Sequence, residues 1–118
     1  MKYLTVGKEF HFEAAHSLPH LPEGHKCRNM HGHSYRFRVE IDGPIDARGF
    51  VIDYAEIAAA VQPIVDKLDH QNLNDLFAQA TTAENLAVWI HGQVANRLGK
   101  CTRIVFFETA STRVVYEG

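Results

Sequence analysis

The feature that most constrains the fold is the strict alternation of apolar and polar side chains over residues 33–42. One side of this segment carries His33, Tyr35, Phe37, Val39 and Ile41, and the other carries Ser34, Arg36, Arg38, Glu40 and Asp42. Residues 3–16 alternate in the same way, with Lys8 as the exception on the apolar side. A period of two is the period of a β-strand, so both segments are predicted to be strands with one buried face.

Two helices are predicted next, because apolar residues recur there every three or four positions. Asp53 followed by Glu56 is a variant of the capping box and opens the first helix. Its apolar stripe consists of Ile57, Val61, Ile64, Val65 and Leu68. Pro63 lies inside this stripe, so we expect a kink or an early break there.

The second helix is predicted to start at Thr81, with Glu84 three positions later, and to end at Gly99. Its stripe consists of Leu86, Trp89, Ile90, Val94 and Leu98. Two strands over 101–109 and 112–117 follow, and the run 104–107 is apolar on both faces. Such a strand is typically covered on both sides.

The order β-β-α-α-β-β predicts one α+β domain over residues 1–118, in which a four-stranded antiparallel sheet carries two helices on one face. The second apolar face and the open edges of that sheet need cover. One chain of this length has no further element to supply it, so we expect assembly with other copies.

Composition and charge narrow the class of protein. Twelve Lys and Arg against fourteen Asp and Glu give a formal charge of −2, which argues against a dedicated nucleic-acid or membrane binder. No apolar run approaches the roughly 20 residues of a membrane span, and the start MKYLTVGKEF does not resemble a secretory signal. Cys27 and Cys101 are too few for a disulfide framework. We therefore expect a reduced, cytoplasmic protein.

Eight histidines are unusual for 118 residues, and three of them fall at the ends of the first two predicted strands. His31 and His33 are two positions apart and share a strand face, while Gly32 leaves room for a ligand near the backbone. His16 ends the first strand on its apolar face and falls opposite His33 if the two strands pair as a hairpin. Three convergent imidazoles are the ligand set of a catalytic zinc with an open fourth position. The alternative is a hydrogen-bonded cluster of structural histidines.

Cys27 lies four positions before His31, between Lys26 and Arg28. Cationic neighbours and a nearby metal lower the pKa of a thiol and favour the thiolate. Most free cysteines are small buried residues instead. A loop position among polar residues fits that alternative poorly, whereas Cys101, at the start of an apolar strand, fits it well.

Two further positions carry acid–base chemistry. Asp69 precedes His70 directly after the first helix, and a carboxylate beside an imidazole can make a proton shuttle near neutral pH. The alternative is an ordinary polar loop that ends the helix. Glu108 closes the apolar run 104–107, where its carboxylate could bind the N–H edge of a ligand. The alternative for Glu108 is a salt bridge to Arg103 or Arg113.

Five motifs in this order resemble the 6-pyruvoyl-tetrahydropterin synthase family over nearly the whole chain. They are Phe10-His11-Phe12-Glu13-Ala14-Ala15-His16, Cys27-x-x-x-His31-Gly32-His33, Leu68-Asp69-His70, Thr82-Ala83-Glu84-Asn85 and Phe107-Glu108-Thr109. Three residues between the cysteine and the His-Gly-His motif resemble the branch of the family that forms 6-carboxy-5,6,7,8-tetrahydropterin. The branch that forms a pyruvoyl pterin typically has a longer gap.

The resemblance implies a tunnelling fold (T-fold), in which the sheets of several subunits join into a barrel. It further implies a homohexamer built from two trimers, with active sites between subunits. Residue by residue, it assigns zinc to His16, His31 and His33, the general base to Cys27, a proton relay to Asp69 and His70, and pterin binding to Glu108. The charges of Lys26 and Arg28 predict contacts with a triphosphate group.

The implied reaction is that of a zinc-dependent carbon–carbon lyase of queuosine (7-deazaguanine) biosynthesis. It converts 7,8-dihydroneopterin triphosphate to the 6-carboxy pterin and releases acetaldehyde and triphosphate. One alternative is a pyruvoyl-forming synthase, which eliminates triphosphate without cleaving the side chain. Another is a zinc-binding or pterin-binding protein without turnover.

Overall fold

A computed structural model describes residues 2–118 of the chain. Five strands and two helices follow in the order β1 (Tyr3–His16), β2 (His31–Pro44), α1 (Tyr54–Leu68), β3 (Gln71–Asn72), α2 (Ala83–Leu98), β4 (Arg103–Phe107) and β5 (Val114–Tyr116). Single 3-10 turns lie at Lys26–Arg28 and Leu73–Asp75. The α+β class predicted from the sequence is confirmed.

The strands form one sheet in the order β3-β1-β2-β4-β5. The long strands β1 and β2 pair antiparallel along their whole length, from Tyr3 opposite Pro44 to His16 opposite His31. The predicted four-stranded antiparallel sheet and the order β-β-α-α-β-β are wrong in one element. The short strand β3 lies between the two helices in sequence and pairs parallel to the end of β1. Two residues carry no periodicity, so sequence patterning could not reveal this strand.

Both helices form where the capping residues and apolar stripes indicate. The Asp53 side chain accepts the Ala55 N–H at the start of α1, and α1 continues to Leu68, so Pro63 does not break it early. At α2 the capping residue is Thr82 rather than Thr81, and the left-handed Gly99 (φ 83°) ends the helix as predicted. No helix within residues 2–118 is both long and apolar enough to cross a bilayer.

The core lies between the helices and one face of the sheet, because both helices contribute to the same buried cluster as β1, β2 and β4. Its centre is aromatic: the Phe12 and Tyr35 rings stack with centroids 4.8 Å apart, and Phe106 packs against both. On the other face of the sheet Phe107 is also buried, with the Arg36 guanidinium 3.6 Å from its ring centroid. The apolar run in β4 is therefore covered on both sides.

We expect Phe106→Ala to lower the free energy of unfolding by about 3–5 kcal/mol, because it removes a fully buried ring from the centre of the core. Val115→Ala, on exposed surface of the edge strand β5, is the matched control and should change it by less than about 1 kcal/mol. Urea unfolding of the two variants measures both values. Equal losses would contradict this placement of the core.

Candidate active site

Three histidines converge at one end of the long β1–β2 ribbon. His16 lies opposite His31 in the register, and Ala14 lies opposite His33. The predicted pairing of His16 with His33 is therefore wrong by two residues, but His31 and His33 still share one face. The ring centroids are 4.6–5.2 Å apart, and one ring nitrogen of each lies within 4.8 Å of the others.

Backbone carbonyls fix the orientation of two of these rings. Nδ1 of His16 lies 2.8 Å from the carbonyl oxygen of Thr81 and 3.1 Å from its Oγ1, and Nδ1 of His31 lies 2.7 Å from the carbonyl oxygen of Asn29. A carbonyl only accepts, so each Nδ1 carries the proton and each Nε2 keeps a lone pair. A histidine that binds a metal through one ring nitrogen usually donates the N–H of the other nitrogen to a carbonyl or a carboxylate, as His16 and His31 do here.

The remaining nitrogens fit a metal. Nε2 of His16 and Nε2 of His33 are buried without a hydrogen-bond partner in the described chain. A buried unpaired acceptor is costly, and a cation that receives its lone pair removes that cost. Burial lowers the pKa of both imidazoles, although the charge of Glu108 opposes that shift. The neutral, metal-ligating form is thus favoured.

A cavity of about 400 Å³ opens beside the histidines. Its lining consists of Lys26, Cys27, His31, His33, Glu108 and Thr109. The structure therefore brings the predicted thiol and the predicted pterin-binding carboxylate to the predicted metal ligands. Glu108 Oε1 lies 3.7 Å from His33 Nε2. Arg103, an alternative partner for Glu108, instead pairs with Asp42 at 2.6 Å.

The loop that carries Cys27 is held by hydrogen bonds on both sides of the thiol. The Cys27 N–H donates to Nδ1 of His25 at 3.1 Å, and the Cys27 carbonyl accepts the Leu18 N–H at 2.8 Å. Arg28 lies on the same turn, and its guanidinium donates to the carbonyl oxygens of Pro19 and Leu21 at 2.7 and 2.8 Å. Lys26 faces the cavity, whereas Arg28 faces its own loop.

Asp69 and His70 form a dyad, as the sequence predicted, but not at this cavity. Asp69 Oδ2 lies 2.8 Å from His70 Nδ1, while Asp69 Oδ1 accepts the Glu13 N–H at 2.9 Å. The Glu13 N–H and His70 together hold the pKa of Asp69 below its usual value. The His70 side chain is 79% exposed and lines a second recess with Glu13, Gly32 and Ser34, and His33 is the one residue that lines both this recess and the cavity. Gly32 lines this second recess and is absent from the lining of the cavity that contains Cys27.

His70 also has a positive φ of 60°, which is uncommon for a residue other than glycine. The hydrogen bond from its N–H to the Glu13 carbonyl, at 2.6 Å, fixes that conformation. Strained backbone held by its surroundings is frequent at functional sites. Within residues 2–118 no hydrogen bond or ion pair joins the dyad to the three histidines.

Thr81 is the site residue that sequence reasoning missed. Its side chain is 1% exposed and faces His16, although the pattern Thr81-x-x-Glu84 was interpreted as the start of a helix. The neighbouring Thr82 provides the cap instead, so Thr81 is free to face inward. Two adjacent threonines before a helix are the only signal in the sequence, and either could serve as the cap.

The two thiols should differ in reactivity. Burial raises the pKa of Cys101 to about 11, so this thiol stays protonated at pH 8. Cys27 lines an open cavity among cationic neighbours. We expect iodoacetamide at pH 8 to label Cys27 at least about tenfold faster than Cys101, measured by peptide mapping after timed quenching. Faster labelling of Cys101 would contradict these placements.

The fold and the site together define an α+β domain of the pterin synthase class. The 6-pyruvoyl tetrahydropterin synthase of Caenorhabditis elegans superposes with a TM-score of 0.90 at 26% identity, covering 100% of this chain and 97% of that one. The sequence model of the 6-pyruvoyl tetrahydropterin synthase family matches residues 5–118. The chain belongs to this family.

Two relatives carry names from different branches of the family. A Synechocystis protein named 6-carboxy-5,6,7,8-tetrahydropterin synthase is 44% identical over an alignment of 96 positions that covers 75% of this chain and 73% of that protein. A Drosophila melanogaster protein named 6-pyruvoyl tetrahydrobiopterin synthase is 36% identical over an alignment of 126 positions, gaps included, that covers 91% of this chain and 75% of that one.

Proposed function

We propose that this protein is a zinc-dependent 6-carboxy-5,6,7,8-tetrahydropterin synthase of queuosine biosynthesis. Its reaction converts 7,8-dihydroneopterin triphosphate and water to the 6-carboxy pterin, acetaldehyde and triphosphate. The observation that carries the proposal is one cavity lined by the thiol of Cys27, the carboxylate of Glu108 and two imidazoles, those of His31 and His33, which form a cluster with the buried His16. The name of the Synechocystis relative and the three-residue gap after Cys27 favour this branch.

His16, His31 and His33 are the residues that would hold zinc, each through a ring nitrogen. Bound zinc would supply Lewis-acid polarisation of the two side-chain hydroxyl oxygens of the substrate. The chain prepares this site in advance. Thr81 and Asn29 fix two of the rings, and burial keeps His16 and His33 neutral.

Cys27 is the base in this proposal. It lies on the cavity wall beside His31, where a thiolate can take a proton from the substrate side chain. Glu108, which lines the same cavity, would accept two N–H groups from the guanidine-like edge of the pterin. That contact would orient the ring and direct the substrate side chain into the cavity that Cys27, His31 and His33 line. Lys26 carries the positive charge for the triphosphate end.

The Asp69–His70 relay would complete the cavity of a neighbouring copy. In its own chain the dyad's His70 lines a second, open recess of about 530 Å³ and is absent from the lining of the cavity that contains Cys27. β3 pairs with β1 only at Ala14 and Ala15, and β5 is the other edge of the sheet, so both edges can accept further strands. A barrel of joined sheets, in a homohexamer of two trimers, would use these edges and bring each dyad to a partner's histidines.

A product assay tests the proposal. Zinc-loaded protein is incubated with 7,8-dihydroneopterin triphosphate, and acetaldehyde and the pterin product are identified by mass. Acetaldehyde together with a carboxypterin is the expected result. A pyruvoyl pterin without acetaldehyde would place the protein in the branch that the Drosophila relative's name represents. Bound metal with neither product would favour a non-catalytic zinc- or pterin-binding protein.

A further inference from the structure

We propose that Arg28 is a positioning residue that holds Cys27 at the cavity, and that it does not bind the triphosphate of the substrate. The inference rests on the proposed function insofar as Cys27 is the base. It replaces the interpretation that charge alone suggested, in which Lys26 and Arg28 act as equivalent phosphate contacts.

The first support is that the guanidinium of Arg28 is already engaged in hydrogen bonds within the protein. A single terminal nitrogen, Nη1, donates to the carbonyl oxygens of Pro19 and Leu21 at 2.7 and 2.8 Å. No backbone N–H within residues 2–118 reaches either carbonyl. Charge-assisted bonds of this length are among the stronger hydrogen bonds in proteins. A phosphate that pulled the guanidinium away would leave both carbonyls without a donor from the protein and would release the contact between Arg28 and the 18–21 turn.

The second support is where these bonds lie relative to the thiol. The Leu18 N–H donates to the carbonyl of Cys27, and the Arg28 bonds join the next residue to the same 18–21 turn. Hydrogen bonds from two consecutive residues, Cys27 and Arg28, thus connect this part of the loop to the 18–21 turn. Cys27 lies in this tied turn and lines the cavity, whereas Arg28 is absent from the cavity lining.

The third support is the contrast with Lys26, the neighbouring cation. Lys26 lines the cavity, and its ammonium makes no hydrogen bond or ion pair within residues 2–118. Lys26 therefore has both the position and the available charge for an anionic group. The two cations on either side of Cys27 have separate roles: Lys26 faces the substrate, and Arg28 fixes the loop.

The kinetic test compares Arg28→Met with Lys26→Met, since methionine keeps the length of the side chain and removes the donor. We expect Arg28→Met to lower kcat about tenfold while KM stays within about twofold, because the base is misplaced and substrate binding is kept. Lys26→Met should show the opposite pattern, in which KM rises and kcat changes little. A raised KM with unchanged kcat for Arg28→Met would overturn the proposal.

A double-mutant cycle makes the test specific for the thiol. In a Cys27→Ala background, Arg28→Met should lower kcat no further, because there is no thiol left to position. An equal, additive loss in both backgrounds would overturn the proposal, since a phosphate contact acts independently of Cys27. Arg28→Lys should recover part of kcat, because an ammonium group can still donate to a carbonyl.

A measurement without substrate separates this proposal from the proposed function. Hydrogen exchange of peptides that cover residues 17–30 reports how firmly the loop is tied. We expect the Leu18 amide to exchange about tenfold faster in Arg28→Met than in the parent protein or in Lys26→Met. Unchanged exchange would overturn the proposed positioning role of Arg28 even if the enzyme is active. Faster exchange in a protein that forms no pterin product would support the contact between Arg28 and the loop and would reject only the proposed reaction.

Discussion

Replacing His31 by alanine should empty the metal site and lower kcat/KM by at least about a thousandfold. His31 supplies one of the three imidazoles in the cluster, and its Nδ1 contact with the Asn29 carbonyl leaves Nε2 as the nitrogen that can bind a metal. The cluster has no fourth histidine within residues 2–118 that could replace it. Loss of a residue that merely orients a ligand costs about 10–100-fold in metal affinity, and loss of the ligand itself should cost more. Zinc content after dialysis and a cobalt titration measure the metal effect directly.

His11→Ala is the matched control for this variant. His11 is a strand histidine on β1 with 67% of its side chain exposed, and its Nε2 pairs with Glu9 on the face away from the cluster. It should keep full metal content and normal turnover. Full zinc content in His31→Ala would reject the three-histidine site and leave the structural-histidine interpretation.

Replacing Cys27 by alanine should separate metal binding from turnover. We expect kcat to fall by about 10²–10⁴-fold, the usual contribution of a positioned acid or base, while zinc content stays at the parent level. The cluster that could hold a metal consists of the three histidines alone, and the thiol lines the same cavity as His31 and His33 without belonging to that cluster. Single-turnover kinetics and metal analysis of the same preparation measure both quantities.

Cys101→Ala controls for the loss of a thiol in general. Cys101 is half-buried against the hydrophobic core and does not line the cavity, and its only polar contact in residues 2–118 is a long one from Sγ to the Arg103 carbonyl, at 3.8 Å. Turnover should therefore be unchanged. Normal turnover in Cys27→Ala would show that another group removes the proton. Arg28 would then have no catalytic base to position.

The sequence predicted the long elements well because burial imposes a period on them. β1 has the bounds expected from alternation, and β2 extends the predicted strand by two residues at each end. The convergence of His16, His31 and His33 followed from the same alternation. What alternation does not specify is the pairing of one strand with the next, and the expected register of His16 was accordingly two residues off.

The remaining errors share another physical cause, which is that contacts distant in sequence decided the outcome. β3 exists because the backbone of Glu13 pairs with the segment after α1. Thr81 turns inward because His16 lies there, and the next threonine serves as the cap. Arg28 looked like a free cation because its partners, the carbonyls of Pro19 and Leu21, have no signature in a sequence.

The continuity of β2 has a consequence for how the chain reaches its native state. Its apolar residues and two of the three histidines lie on the same face of one unbroken strand. A slip of β2 against β1 by one residue would turn both sets to the other side together. A misregistered chain would thus lose its ligand set along with its core. A metal that binds only the correctly paired strands would stabilise that pairing selectively and would thereby favour the correct strand register during folding.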